Sequence, residues 1–353
     1  MRVAQVVEFR KPTEIAEIPE PVAGPGEVVI AVEACGVCRT DWHVWNGDWD
    51  WMGFQPPLPH IPGHEIGGRV AQVGEGVTRL EVGQRVTVPW TLACGTCQWC
   101  RQGLTNCCEN VRAAGFGFPG AYASQVAIPN ADLNVIPLPD GVDGLSAASL
   151  GCRYMAAFSA VVRQGRTRVG QWVSVVGTGG LGLAAVQIAH AAGARVVAVD
   201  IDRRKLEFAT GQGADATVSV EGDPAAAGQA VKEITGGGAD VSVDTLSRPE
   251  SMLTSILGLR RRGRHVHTGY TTQPDRGMIP VPIDAVSLQE IEIIGCGVGL
   301  PHRDFPELLA MVAAGRLRPA DLVTEQIGLE DVTGVFEAMD AFTNVGVSVI
   351  TRF

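Results

Sequence analysis

Residues 94–108 read CGTCQWCRQGLTNCC and hold five of the chain's nine cysteines. Cys94, Cys97, Cys100 and Cys108 are spaced C-x2-C-x2-C-x7-C. Thiolates this close can wrap one ion, and four soft sulfur ligands suit tetrahedral zinc. Four thiolates leave no position for water or substrate, so this ion is expected to be structural. A second set is dispersed: Cys38 in GVCRTDWH, His64 in PGHE and Cys152 in LGCRY. From spacing alone each could be a buried thiol or a hydrogen-bonded histidine. Two cysteines, one histidine and one open position are also a known form of catalytic zinc site.

A third signal is Gly177-Thr178-Gly179-Gly180-Leu181-Gly182, which fits G-x-G-x-x-G between an apolar strand pattern and a helix pattern. The first glycine makes the turn, the second lets backbone approach a pyrophosphate, and the third lets helix pack on strand. The helix N-terminus then offers free N–H groups to the anion. Asp200 closes the next strand, where a carboxylate can accept hydrogen bonds from the adenosine ribose and repel a 2′-phosphate. NAD is therefore favoured over NADP. Arg203, Arg204 and Lys205 could receive a phosphate instead, and Asp200 could simply cap the helix begun by DRRKLEFA.

The elements that must position these residues change character along the chain. The first 150 residues are β-rich and punctuated, with EVVIAVE (27–33), GRVAQV (68–73) followed by the turn Gly74-Glu75-Gly76, and then GQRVTVP. After Gly151, apolar strands alternate with Ala-rich helices: WVSVVG (172–177), RVVAVD (195–200), ATVSV (216–220), VSVDTL (241–246), RHVHTG (264–269) and IEIIG (291–295). Strand–helix alternation with nearly all-apolar strands predicts a doubly wound parallel sheet covered on both faces. Gly269, at the end of the fifth strand, is expected to contact the cofactor. After Gly295 the alternation stops; a helix is expected over 305–314 and a last strand over 347–350, rejoining the first domain. The fold class is α/β.

Length 353 suggests about two domains. The net charge of -10 argues against nucleic acid and against an anionic membrane surface. The one basic cluster, Arg260-Arg261-Arg262-Gly263-Arg264, reads as a solvated turn before a strand. The start, MRVAQVVEF, lacks the apolar core of a signal peptide, and no apolar run reaches the ~18 residues of a membrane span. An odd number of cysteines with metal-type spacing points to a reducing cytoplasm.

Together GVCRTDWH, PGHEIGG, CGTCQWC, LGC, GTGGLG and Asp200 resemble the zinc-dependent alcohol dehydrogenases of the medium-chain dehydrogenase/reductase superfamily, along essentially the whole chain. The resemblance implies a GroES-like catalytic domain (1–153), a Rossmann NAD-binding domain (154–293) and a return segment (294–353), with the active site in the cleft between domains. It implies two zinc ions per chain: a catalytic one on Cys38, His64 and Cys152, and a structural one on Cys94, Cys97, Cys100 and Cys108. Cys107 is then the spare thiol. Glu65 would be a carboxylate near the catalytic metal, Asp41 the acceptor orienting His64, and Lys205 a neighbour of the adenosine ribose. An alcohol held at zinc would lose its proton near neutral pH and give a hydride to NAD. Thr40 would take the proton and His43 would pass it to solvent through the cofactor ribose. Trp49 and Trp90 would narrow the substrate pocket, so short aliphatic alcohols and aldehydes are expected. Part of the cluster Trp42, Trp45, Trp49 and Trp51 is expected to serve packing. The family habit is a homo-oligomer, dimer or tetramer.

A polyol or other hydroxy-compound dehydrogenase on the same scaffold is the alternative enzyme. Polyol relatives usually carry Glu as third ligand, so Cys152 argues for alcohol. A non-catalytic protein that binds NAD and zinc is the alternative from another class. Three departures stand out: Ala156 where many relatives have Thr, Val347 where many have a basic residue, and Arg153 directly after Cys152. Arg153 is expected to pair away from the metal. His265 and His267 share one face of a strand; no metal is assigned to them, and His267 is expected near the nicotinamide.

Overall fold

Apolar strands that are buried on both faces need helices above and below, and residues 172–295 show this arrangement. The structure is a computed structural model describing residues 1–353. Its six-stranded sheet runs Ala216–Ser219, Arg195–Asp200, Trp172–Val176, Ala239–Asp244, Leu259–His267 and Glu292–Gly295 across the sheet, every neighbouring pair parallel. In chain order this is 3-2-1-4-5-6, the order of a dinucleotide-binding fold. Trp172–Val176 is buried at every residue, and the helix Gly180–Ala191 follows it directly.

Two local expectations are corrected here. The fourth strand ends at Asp244, not at 246, because the Asp244 carboxylate accepts the N–H groups of Leu246 (2.9 Å) and Ser247 (3.3 Å) and folds the chain into a turn. The arginine cluster is not a turn before a strand; it lies within the strand Leu259–His267. The register there shifts against the neighbouring strand, and Arg262 takes a φ of 56°. Arg260 pairs with Asp240 (2.7 Å), Arg262 with Glu290 (3.3 Å) and Arg264 with Glu292 (2.8 Å). Three of the four arginines thus pair with an acidic neighbour.

The second sheet has the order Val323–Gly328, Val347–Arg352, Val28–Gly36, Glu65–Val73, Arg85–Thr87, Ile136–Pro137, with Gln125–Ile128 also pairing with Val28–Gly36. The strand Val347–Arg352 lies antiparallel to Val28–Gly36, with Val349 opposite Gly36 and Ile350 opposite Cys35. Val28, Ile30 and Val32, two residues apart along Val28–Gly36, enter one core with Ile66, Val70 and Phe336. The chain divides into two compact units: residues 1–155, 300–315 and 323–353 form one, and residues 156–299 and 316–322 the other. Residues 294–299 therefore pack with the dinucleotide sheet, as does the short stretch 316–322. No helix is long and apolar enough to cross a membrane.

Candidate metal centres and active site

Cys38 sits where the strand Val28–Gly36 hands over to the helix Arg39–Asn46. Its backbone N–H donates to Asp41 (3.0 Å), three residues on, as an N-terminal cap. Asp41 is wholly buried and holds three more groups: the Gly63 N–H (3.0 Å), His64 Nδ1 (3.0 Å) and the Tyr122 hydroxyl (3.1 Å). Gly63 has a φ of 104°, and a Cβ there would meet the Tyr122 backbone nitrogen at 2.8 Å. Only glycine lets the chain pass so close before His64. With Nδ1 committed to Asp41, His64 keeps Nε2 as its free ring atom, buried and without a hydrogen-bond partner.

That orphaned nitrogen faces three other ligand atoms. One atom each from Cys38, His64, Glu65 and Cys152 lies within 4.8 Å of the others. Cys152 arrives on the buried turn Leu150–Tyr154. Hydrogen bonding with Cys152 holds the Cys38 thiol well below its usual pKa, while the same contact and burial push Cys152 well above. Burial opposes a charge on His64, yet Asp41's charge and hydrogen bond outweigh it and raise its pKa well above normal. The centre thus favours a positive charge at the atom where a metal would bind, and the donor set fits zinc.

Glu65 has a second partner. Arg153 donates from Nε to Glu65 Oε1 (2.8 Å), and from Nη2 both to Glu65 Oε2 and to the Val37 carbonyl (3.1 Å). Both side chains are buried. Burial pushes the Glu65 carboxyl up to about 7 against the pull of Arg153, while Glu65 raises the Arg153 guanidinium further despite burial. Arg153 therefore faces Glu65 at the centre instead of pairing away from it.

Thr40 lies in the first turn of the helix, its hydroxyl 3.5 Å from Cys38 Sγ. His43, one turn on, is buried, with Nδ1 2.6 Å from Asp48. The left-handed Gly47 (φ 68°) ends the helix and turns Asp48 back under it. Trp49 stacks on His43 at 4.5 Å between ring centroids. Phe116 joins Trp49 (6.0 Å), Trp90 (6.1 Å) and His64 (5.7 Å) in one aromatic wall. Asp48, Phe116 and Tyr122 are the members that the sequence reading misses. Trp45 packs on Phe336 (5.5 Å), and Trp42 carries the Arg39 guanidinium (3.6 Å).

In the lobe around residue 100, one sulfur each from Cys94, Cys97, Cys100 and Cys108 lies within 4.8 Å of the others; Cys107 is exposed and outside the set. Backbone N–H groups of Thr96 (3.5 Å) and Cys97 (3.4 Å) donate to Cys94 Sγ, and the Cys94 N–H donates to Cys108 Sγ (3.3 Å). The donors on Cys94, the Thr96 hydroxyl foremost, bring its thiol down to about 5, so a thiolate forms readily. Four converging sulfurs with amide donors fit a closed zinc site.

The glycine loop fits a dinucleotide. Gly177 has a φ of 92°, nothing would meet a Cβ on Gly179, and a Cβ on Gly182 would collide with the Gly177 carbonyl. Turn, open approach and close packing therefore fall on the three glycines in that order; Gly180 and Leu181 form the first helical turn. Asp200 accepts the Thr178 N–H (2.7 Å) and hydroxyl (2.8 Å), which fixes the loop. The helix cap is Asp202, which accepts the Arg204 N–H (2.9 Å). Arg204 pairs with Asp202 (2.7 Å) and Arg203 with Glu221. Lys205 is buried on the same helix, and Gly269 packs against the loop 245–247.

Two family models match: the alcohol dehydrogenase GroES-like domain over residues 24–140, and the zinc-binding dehydrogenase domain over residues 180–314. An alcohol dehydrogenase of Geobacillus stearothermophilus is 39% identical over 340 residues, 96% of each chain. The solved alcohol dehydrogenase of Thermus sp. ATN1 superposes with a TM-score of 0.88 at 26% identity, covering 100% of both chains. A solved NAD-dependent alcohol dehydrogenase gives 0.86 at 29% identity over 99% of both. Identity held over nearly the full length of such a relative leaves one family: the chain belongs to the zinc-dependent alcohol dehydrogenases of the medium-chain dehydrogenase/reductase superfamily, NAD-dependent oxidoreductases.

Proposed function

We propose that the chain interconverts short aliphatic alcohols and their aldehydes or ketones, with NAD preferred over NADP. Residues 1–155 and the segments that return to them would be the catalytic domain, and residues 156–299 the NAD-binding domain. The observation that carries this reading is the convergence of Cys38, His64, Glu65 and Cys152 around the partnerless Nε2 of His64. Cys38, His64 and Cys152 would hold the catalytic zinc, whose Lewis acidity, when bound, makes an alcohol proton acidic near neutral pH. Cys94, Cys97, Cys100 and Cys108 would hold the structural ion.

Thr40, its hydroxyl 3.5 Å from Cys38 Sγ, would accept the alcohol's proton, and His43 would carry it onward. Asp48 engages His43 Nδ1, which leaves Nε2 as the atom that exchanges protons. Asp41 keeps His64 in the tautomer that exposes Nε2. Arg153 offsets the Glu65 charge beside the ligands. Trp49, Phe116 and Trp90 form an apolar wall that excludes water and limits substrate length. Asp200 and the occupied Arg203 and Arg204 support NAD, because neither arginine waits for a 2′-phosphate.

The same reading carries a homo-oligomer in a reducing compartment such as the cytoplasm. No cysteine forms a disulfide, and Ile283, Leu288 and Ile293, the last on the edge strand Glu292–Gly295, are exposed. Light scattering of the purified protein measures the assembly. The decisive experiment is a panel of alcohols, polyols and aldehydes with NAD and with NADP. Turnover of short alcohols with NAD is expected; no turnover by fully metallated protein would make it a binding protein instead.

A further inference from the structure

The dinucleotide sheet carries charge chemistry that the dehydrogenase reaction leaves unused. In the parallel pair Ala239–Asp244 and Leu259–His267, Ser242 stands opposite His265 and Asp244 opposite His267. Alternation along each strand puts these four side chains on one face, and adjacent strands lie about 4.8 Å apart. One ligand atom each from Asp244, His265 and His267 falls within 4.8 Å of the others. Asp244 and His265 have 0% exposure, and the His267 side chain is 24% exposed.

The hydrogen bonds around this cluster all come from outside it. His265 Nδ1 meets the Ser242 hydroxyl at 3.0 Å, and His267 Nε2 meets the Ser247 hydroxyl at 2.8 Å. Asp244 accepts from the Leu246 N–H (2.9 Å), the Ser247 N–H (3.3 Å) and the Ser251 hydroxyl (2.8 Å). The remaining ring nitrogens, His265 Nε2 and His267 Nδ1, are buried and have no partner. His267 Nδ1 lies 3.9 Å from Asp244 Oδ2, too far for a hydrogen bond and close enough for an ion with ~2.1 Å bonds to bridge. One ring nitrogen anchored by a side-chain oxygen and the other left bare is the pattern of a metal-ligating imidazole.

We propose that Asp244, His265 and His267 form a third metal site, taking a divalent first-row cation through one carboxylate oxygen and two imidazole nitrogens. Two histidines and a carboxylate suit zinc, cobalt, nickel or ferrous iron. A cation would also balance the charge of a buried carboxylate that has three hydrogen-bond donors but no lysine or arginine paired with it. The site ties together the ends of two adjacent strands, from which the loops 245–247 and 268–269 emerge. Ser247, which anchors His267, lies in the first loop; Thr268, whose N–H donates to the Asp244 carbonyl (3.0 Å), lies in the second.

The test uses the full chain carrying two equivalents of zinc, with no excess zinc, and cobalt(II) as probe. The two cysteine sites would show thiolate-to-cobalt charge transfer if cobalt entered them; a nitrogen–oxygen site shows only weak d–d bands. We expect three metal equivalents per chain after dialysis, the third as cobalt without charge transfer. His265→Gln and His267→Gln should each lower the count by one and leave both zinc ions bound. Two equivalents in the unaltered protein, or a third that persists in both variants, overturns the proposal. If the variants do not fold, anomalous scattering from cobalt-soaked crystals of the unaltered chain decides: a peak among Asp244, His265 and His267 supports the site, and a water there overturns it.

Discussion

The two cysteine-bearing centres solve the same coordination problem in opposite ways. Cys94, Cys97, Cys100 and Cys108 come from one short loop, three of them only partly buried, and backbone N–H groups of the loop itself stabilise the sulfurs. Cys38, His64 and Cys152 come from three separated segments and are brought together by a sheet, a capped helix and a buried turn. The loop is closed by its own spacing. The buried centre exists only when the surrounding sheet does, and side chains such as Thr40 and Trp90 lie beside it. Proximity in sequence yields a tie, and distance in sequence yields a place for chemistry.

The largest effect should come from Cys152→Ala. It should abolish turnover and remove one metal equivalent, with the thiolate lobe still loaded; retained activity would erase the distinction between the two centres. Cys108→Ser should likewise lose one equivalent, but act mainly through stability, lowering the melting temperature while the remaining folded enzyme keeps its kcat. Cys107→Ser is the control and should change neither, since its thiol stands outside the cluster. The reverse pattern in metal analysis would reassign the fourth ligand.

His43→Ala should cost about 10²-fold in kcat, the lower range for a positioned proton-transfer group. Burial depresses the His43 pKa and Asp48 partly restores it. The neutral ring therefore persists below ~6.5, and the acid limb of kcat should lie there. Asp48→Asn should move that limb further toward acid. The stability sign is the same: below ~6.5 the unfolded chain takes a proton that folded His43 resists, so His43's share of stability falls as pH falls. An acid limb that does not move in Asp48→Asn would remove His43 from the relay. Trp90→Ala should have the smallest effect, a shift of kcat/KM toward longer alcohols of about 10-fold; an unchanged chain-length profile would show that the wall does not set specificity.

Much of this was legible in the sequence because residue type and local spacing carry it. The glycine order at 177, 179 and 182 encodes a turn, an approach and a packing contact, and each is a local property. Asp48 was missed because it acts only after Gly47 reverses the chain, although a glycine ending a helix just after His43 was the available signal. Phe116 and Tyr122 arrive from loops with no periodic pattern. Arg153 was misplaced because its partner Glu65 lies 88 residues away in the chain, and only the fold brings the two side chains together. The arginine run 260–264 reads as a turn by composition; the acidic partners Asp240, Glu290 and Glu292 that hold it as an irregular part of a strand lie on neighbouring segments.

The antiparallel pairing of Val347–Arg352 with Val28–Gly36 sets a timetable for biosynthesis. Ser348 accepts the Val37 N–H at 3.0 Å, and Val349 lies opposite Gly36, one and two residues before Cys38. While a ribosome is still making the chain, the thiolate lobe can capture its ion as soon as residue 108 has emerged. The strand that leads into Cys38 stays without one neighbour until residue 350 has followed. A nascent chain would therefore pass through an interval in which all four sulfurs of the lobe are present while the strand leading into Cys38 still lacks its neighbour Val347–Arg352.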